Sequence, residues 1–180
     1  MLFLQLISLV ILFIIFCFFV LEFYNIVFKG FAPFISTRKN VIDKIIEDFE
    51  VKDDTIVHEL GCGKAGFLRA VRKKNAKAEL IGIEKSPIAY IIAQIQNSLS
   101  GNKIKIFKKN FFNDDVSKAD IIYCFLNIKT MAELKDKFLK ECKNGAMIVS
   151  YQFSLPDMEP EKKIVFDKSG EVVYFYKIQK

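Results

Sequence analysis

The chain has 180 residues, with 27 Lys and Arg against 21 Asp and Glu, a formal charge of +6 and a pI near 9.0. Its four cysteines, at 17, 62, 124 and 142, share no C-x-x-C spacing, and His58 is the only histidine. That pattern disfavours a disulfide framework and a structural zinc site, leaves no expectation of a bound metal, and fits a reducing compartment.

The chain opens on an apolar run. Leu2 to Leu21 carries no formal charge and is interrupted only by Gln5 and Ser8. At about 1.5 Å per residue it reaches across the roughly 30 Å hydrocarbon core of a bilayer. No basic residue precedes it, and Glu22, Phe23, Tyr24 and Asn25 follow, so it reads as an uncleaved anchor rather than a signal peptide. Lys29, Arg38, Lys39 and Lys44 lie just beyond the run, which places the remainder on the cytoplasmic side, or the matrix side in a mitochondrion. The expected division is an anchor over 1–28 and one compact domain over 29–180, since about 150 residues make one core and not two. The basic balance is open to nucleic acid, anionic lipid or no specific partner; beside an anchor, the lipid surface is the nearer one.

The remainder alternates helix and strand. Ser36 or Thr37 can cap a helix that buries Val41, Ile42, Ile45, Ile46 and Phe49. Ile56 to Leu60 reads as a strand, Phe67 to Lys73 as a helix, and Glu79 to Glu84 as a second strand. Ser86 and Pro87 open a helix through Gln96, because proline suits a first turn. Ile104 to Phe107 and Ile121 to Phe125 follow as strands, Met131 to Leu139 as a helix, and Ala146 to Tyr151 as a strand. Ile164 to Phe166 and Val172 to Tyr176 flank Asp167, Lys168, Ser169 and Gly170, a hairpin signal. Repeated βα units ending in a hairpin predict an α/β fold, a Rossmann-like, mostly parallel seven-stranded sheet with a C-terminal antiparallel hairpin, preceded by one transmembrane helix.

The first strand ends in His58, Glu59 and Leu60 and breaks into Gly61, Cys62, Gly63, Lys64, Ala65 and Gly66. Glycines between strand and helix expose backbone to a ligand at close range. Gly61, Gly63 and Gly66 also satisfy the dinucleotide fingerprint, with Glu84 as the ribose acid. Glu59 opposes that assignment: an acid at the strand's end repels a pyrophosphate and suits a cationic ligand. S-adenosylmethionine carries a sulfonium and an ammonium and no phosphate. Ala65, inside the turn, is expected to fit with a negative φ. His58, within the strand, is expected to be a packing residue rather than a general base.

On these residues the chain resembles the class I S-adenosylmethionine-dependent methyltransferases. The resemblance implies that Glu59, Gly61, Gly63 and Glu84 bind the cofactor. It also implies that Asn110, where the family usually has an acid, contacts the adenine amino group through its amide oxygen, and that Phe111 flanks the purine. At the end of the fourth strand Asn127, Ile128 and Lys129 stand where methyltransferases of base amino groups carry two prolines and an aromatic. Methylation of base amino groups is therefore disfavoured and other nucleic-acid targets stay open, with nucleic acid the less expected partner. The N-terminal span, the segment Gly30 to Thr37, the Glu59 motif, Phe125-Leu126 and Gly145 to Ser150 followed by Leu155-Pro156 are similar to the membrane-anchored lysine methyltransferases of the ATP synthase c-subunit and adenine nucleotide translocase type. By that resemblance Thr37 helps hold the methionine carboxylate, Asn127 orients the acceptor amine, and the partners are a bilayer and a lysine in a membrane protein. Methylation of a lipid or small amphiphile, and a silent cofactor-binding scaffold, are the competing readings.

Overall fold

The computed structural model describes residues 2–29, 36–166 and 170–180. The chain divides into two units, Met1–Ile35 and Ser36–Lys180. In the first, α1 (Leu2–Lys29) is one helix, and Phe3–Leu21 within it is long and apolar enough to cross a membrane. The segment 30–35, including Pro33 and Ile35 of the family-like stretch, lies outside the described residues, as does the hairpin turn at 167–169.

The second unit begins with α2 (Lys39–Glu47), whose buried residues are Val41, Ile42, Ile45 and Ile46. Neither Ser36 nor Thr37 caps it. The N-cap is Arg38, with no side-chain hydrogen bond, because the Thr37 hydroxyl is turned to Tyr123 instead. Then come β1 (Ile56–Leu60), α3 (Gly66–Lys74), β2 (Glu79–Glu84), α4 (Pro87–Ser100), β3 (Lys105–Lys108), a 3-10 turn (Phe111–Asn113), β4 (Ile121–Cys124), α5 (Ile128–Glu141), β5 (Met147–Tyr151), β6 (Lys162–Phe166) and β7 (Glu171–Lys177). Two helices outrun the sequence expectation. α4 continues past Gln96 until Gly101 ends it at φ 63, the left-handed stop that glycine allows. α5 starts three residues before Met131 because Asn127 caps it by accepting from the Thr130 N–H.

The seven strands order as β3-β2-β1-β4-β5-β7-β6. β1 pairs in parallel with both β2 and β4, and β7 runs antiparallel between β5 and β6. Right-handed crossovers from β1 through β2 to β3 put α3 and α4 on one face, and the reverse progression from β4 to β5 puts α5 on the other. The core obeys this division. Val41, Ile45, Phe67, Leu68, Val71 and Ala93 join one apolar cluster, whereas Met131, Leu134 and Phe138 join a second.

One row across the sheet positions the site. Ile106, Gly82, Glu59, Tyr123, Val149 and Phe175 are successive register partners from β3 to β7, so all point to the α3 face. Strand order reverses between β1 and β4, and the crevice outside the carboxyl ends of strands at such a point is where open α/β sheets bind ligands. Glu59 and Tyr123 flank it.

Candidate functional site

The glycine turn begins where β1 leaves the sheet. Gly61 has φ +72 and Gly63 has φ +51, both in the left-handed region that glycine enters without a steric cost. Gly61 answers a second constraint: a Cβ there would stand 2.9 Å from Leu126 Cδ2. The Gly61 and Cys62 N–H groups both donate to Ile83 O, at 2.8 and 3.0 Å, which pins the turn to β2. Ala65 overturns the sequence expectation of a negative φ, lying at φ 55, ψ 41 as the N-cap of α3. The turn requires a left-handed residue there, and with its side chain fully buried only a small one fits.

Glu84 closes the other side. Its Oε2 accepts from Gly63 N at 2.9 Å and its Oε1 from Ser86 N at 2.7 Å. Both oxygens thus hold backbone and keep a lone pair each for a further donor. This acid joins the glycine turn to the start of α4.

Glu59 is buried, and its only hydrogen bond among the described residues is a long one from Leu68 N, 3.4 Å. Burial pushes its carboxyl up to about 8, against the relief given by the Leu68 N–H and the charge of Arg69. An acid so placed gains its counter-charge from a cationic ligand. Its register neighbour Tyr123 is buried too, stacked on Phe67 at 4.2 Å, with its hydroxyl 2.6 Å from Thr37 Oγ1. Burial raises the Tyr123 phenol well above its ordinary range, with the Thr37 bond opposing. It is therefore a neutral hydroxyl at any ordinary pH.

Asn110 and Phe111 follow β3. Asn110 Oδ1 accepts from Phe112 N at 3.2 Å, starting the 3-10 turn, and Lys109 N donates to Glu84 O at 3.1 Å. The Phe111 ring packs against Phe112 at 4.9 Å and is half-buried. Asn127 is exposed at the end of β4, with Oδ1 accepting from Thr130 N at 2.9 Å. His58 sits on the opposite face from Glu59, buried, with Nδ1 3.1 Å from Asp114 Oδ2.

Glu59, Gly61, Gly63 and Glu84 thus converge on one turn, with Thr37 joined to it through Tyr123. Two contributors escaped the sequence: Tyr123 and Asp114. Tyr123 had a signal, a lone hydroxyl in the apolar run Ile121, Ile122, Tyr123, Cys124, since a buried hydroxyl needs a partner.

The donor set fits a nucleoside with a cationic amino-acid tail. It offers two acids, one buried and held by a single long hydrogen bond among the described residues, and a turn bared for close approach.

Comparison with known proteins agrees. The model of the ANTKMT methyltransferase domain matches residues 59–162. A protein-lysine N-methyltransferase from Saccharolobus islandicus is 29% identical over 151 residues, spanning 82% of this chain and 94% of the relative. An RNA methyltransferase from Salinibacter ruber, solved with S-adenosyl-L-homocysteine, superposes with a TM-score of 0.76 at 21% identity, over 81% of this chain and 95% of that one. A precorrin-6y C5,15-methyltransferase from Geobacter metallireducens gives 0.64 at 12% identity, over 80% and 90%. At those identities the solved structures speak for the fold. The family match covers more than half of the sequence, and the chain belongs to the ANTKMT methyltransferase domain family as an S-adenosylmethionine-dependent methyltransferase of the class I fold.

Proposed function

We propose that this protein is a membrane-anchored protein-lysine N-methyltransferase. The observation that carries the reading is the match to a protein-lysine N-methyltransferase over 94% of that relative's length. The apolar stretch Phe3–Leu21 supports the anchor, and the positive flank supports an inward-facing domain.

The cofactor, when bound, supplies an electrophilic methyl on a sulfonium. In this reading Glu59 supplies the negative charge facing its cationic tail, and Glu84 offers its remaining lone pairs to ribose hydroxyls. Gly61 and Gly63 leave the backbone bare where a side chain would intrude. Asn110 and Phe111 border the adenine, and the hydroxyl pair of Thr37 and Tyr123 lies ready for the methionine carboxylate.

Transfer asks the protein mainly for alignment, since holding two reactants in near-attack geometry can supply most of the rate. A lysine acceptor must also lose its proton. From an unperturbed pKa of about 10.4, the neutral amine costs about 4 kcal/mol at physiological pH. An apolar mouth lowers that cost by disfavouring the ammonium. Phe125, packed on Tyr151 at 4.6 Å, and Leu126 supply such a surface at the end of β4. Asn127 Oδ1, beyond its capping bond, retains one lone pair to orient the amine.

The test incubates membranes containing the full chain with methyl-labelled S-adenosylmethionine. A labelled protein band that yields methyl-lysine on hydrolysis, and that disappears with Glu59→Gln, is expected. Label confined to the lipid extract would overturn the lysine assignment.

A further inference from the structure

Helix α4 reverses the usual distribution of side chains. Its buried residues are Ala89 and Ala93, whereas Ile91 and Ile95 are each 54% exposed and Leu99 is 84% exposed. With about 100° between successive residues, positions 91, 95 and 99 occupy one narrow arc opposite the alanines. Ile88 and Ile92, both half-buried, fall on the same side. None of the 14 residues of α4 is charged. A helix packed on a sheet normally turns its polar face to water, and a contiguous apolar stripe on the surface marks an interaction site.

The ends of the stripe are basic. Lys85 precedes the helix and Lys103 follows it, both exposed. Arg72, at the end of α3, donates from Nε to Asn102 O at 2.9 Å, which brings a third cation to the C-terminal end. Aliphatic side chains in the middle with cations at the margins complement a lipid surface, where acyl chains lie beneath anionic headgroups. The same chain carries the apolar helix Phe3–Leu21.

We propose that α4 is the face on which the methyltransferase domain rests against an anionic bilayer. Ile88, Ile91, Ile92, Ile95 and Leu99 enter the boundary between headgroups and acyl chains, while Arg72 and Lys103 meet lipid phosphates. The proposal rests on the anchored reading given above and adds an orientation to it. α4 starts three residues after Glu84, so this contact holds the cofactor turn close to the bilayer surface, where lysines of membrane proteins emerge.

The test uses the full chain with Cys17→Ser, the other three cysteines being buried, reconstituted in phosphatidylcholine vesicles with and without phosphatidylserine. A fluorophore is placed through Ile95→Cys on α4 or through Leu139→Cys on α5, and read with lipids brominated on the acyl chain and with iodide in water. The label at 95 is expected to be quenched by the brominated lipid at least about twofold more than the label at 139, and more so with phosphatidylserine present. Ile91→Ser with Leu99→Ser should abolish that difference while leaving cofactor affinity by calorimetry unchanged. A label at 95 that iodide reaches and bromine does not would overturn the proposal. So would a label shielded from both quenchers in a chain that sediments as a dimer, which would give the face to a second copy. Alkaline extraction of the same vesicles reads the anchor separately: a chain retained after extraction with no quenching at 95 keeps the anchor and loses the docking face, and quenching at 95 in an extractable chain does the reverse.

Discussion

His58 Nδ1 and Asp114 Oδ2 meet 3.1 Å apart on the face of the sheet opposite Glu59, with both side chains almost wholly removed from water. Lys109 Nζ pairs with the other carboxylate oxygen, and Lys137 Nζ donates to Asp114 O at 2.6 Å. Asp114 therefore ties the segment bearing Asn110 and Phe111 to β1 and to α5. It braces from behind the segment proposed to border the adenine.

Asp114→Asn is expected to weaken this tie. Removing one partner of a buried charged hydrogen bond costs about 1–3 kcal/mol, which urea denaturation would read. Cofactor KM should rise more than kcat falls, because Asn110 and Phe111 are displaced while the reacting centre is not. Burial alone would raise the Asp114 carboxyl, but the bonds from His58 and Lys109 outweigh it and hold it below its ordinary 3.8. A depressed carboxylate contributes stability above its unfolded pKa and loses it as pH falls through the folded one. The wild type should therefore lose this contribution only below about pH 4, and Asp114→Asn should show a correspondingly flatter acid limb.

Glu59 titrates in the opposite sense. Its carboxyl is raised from 4.5 to about 8, so between those values the folded chain holds a proton that the unfolded chain has released. Stability without cofactor should therefore fall as pH rises through that window, by at most about 1.4 kcal/mol per unit. A cationic ligand requires the ionised acid. Affinity for S-adenosylmethionine should thus increase with pH, up to about tenfold per unit, and level off above about 8. Calorimetry across pH checks both. Glu59→Gln should be more stable than the wild type at neutral pH and should bind the cofactor at least about a hundredfold more weakly, since a charged contact of about 3 kcal/mol is lost.

Gly61→Ala combines two costs that a double mutant separates. Its φ of +72 is disfavoured for alanine by about 1–2 kcal/mol, and the new Cβ meets Leu126 Cδ2 at 2.9 Å. Leu126→Ala in the same chain should relieve the collision and leave the dihedral cost. Thermal denaturation of the two single variants and the double variant should give a favourable coupling of about 1 kcal/mol; strict additivity would show that Leu126 does not press on the turn.

Ala65→Gly sets two terms against each other. Relief of the left-handed conformation favours glycine by about 1–2 kcal/mol. The loss of a buried methyl, about 0.8 kcal/mol, and the greater freedom of unfolded glycine oppose it. The variant should stay within about 1 kcal/mol of the wild type. Ala65→Val should instead cost about 3 kcal/mol or more, because a β-branched residue resists positive φ and the site has no exposed surface to expand into.

The order of strands and helices was legible in local pattern, since apolar periodicity, Pro87 and the glycine turn act within a few residues of themselves. The same is true of the apolar span from Leu2 to Leu21 and of the acids at the ends of two strands. Helix limits were less legible. Asn127 reads from the sequence as a site residue and not as a cap, yet its Oδ1 accepts from Thr130 N and starts α5, and Gly101 ends α4 with a positive φ.

What tertiary structure alone decided are the contacts between residues far apart in sequence. Thr37 finds Tyr123 across 86 positions and His58 finds Asp114 across 56, pairings that depend on strand order and register and leave no trace in local spacing. The left-handed Ala65 and the outward-facing aliphatic side chains of α4 belong to the same class. Propensity describes what each residue prefers by itself, and these positions are settled by what the packed sheet leaves for them.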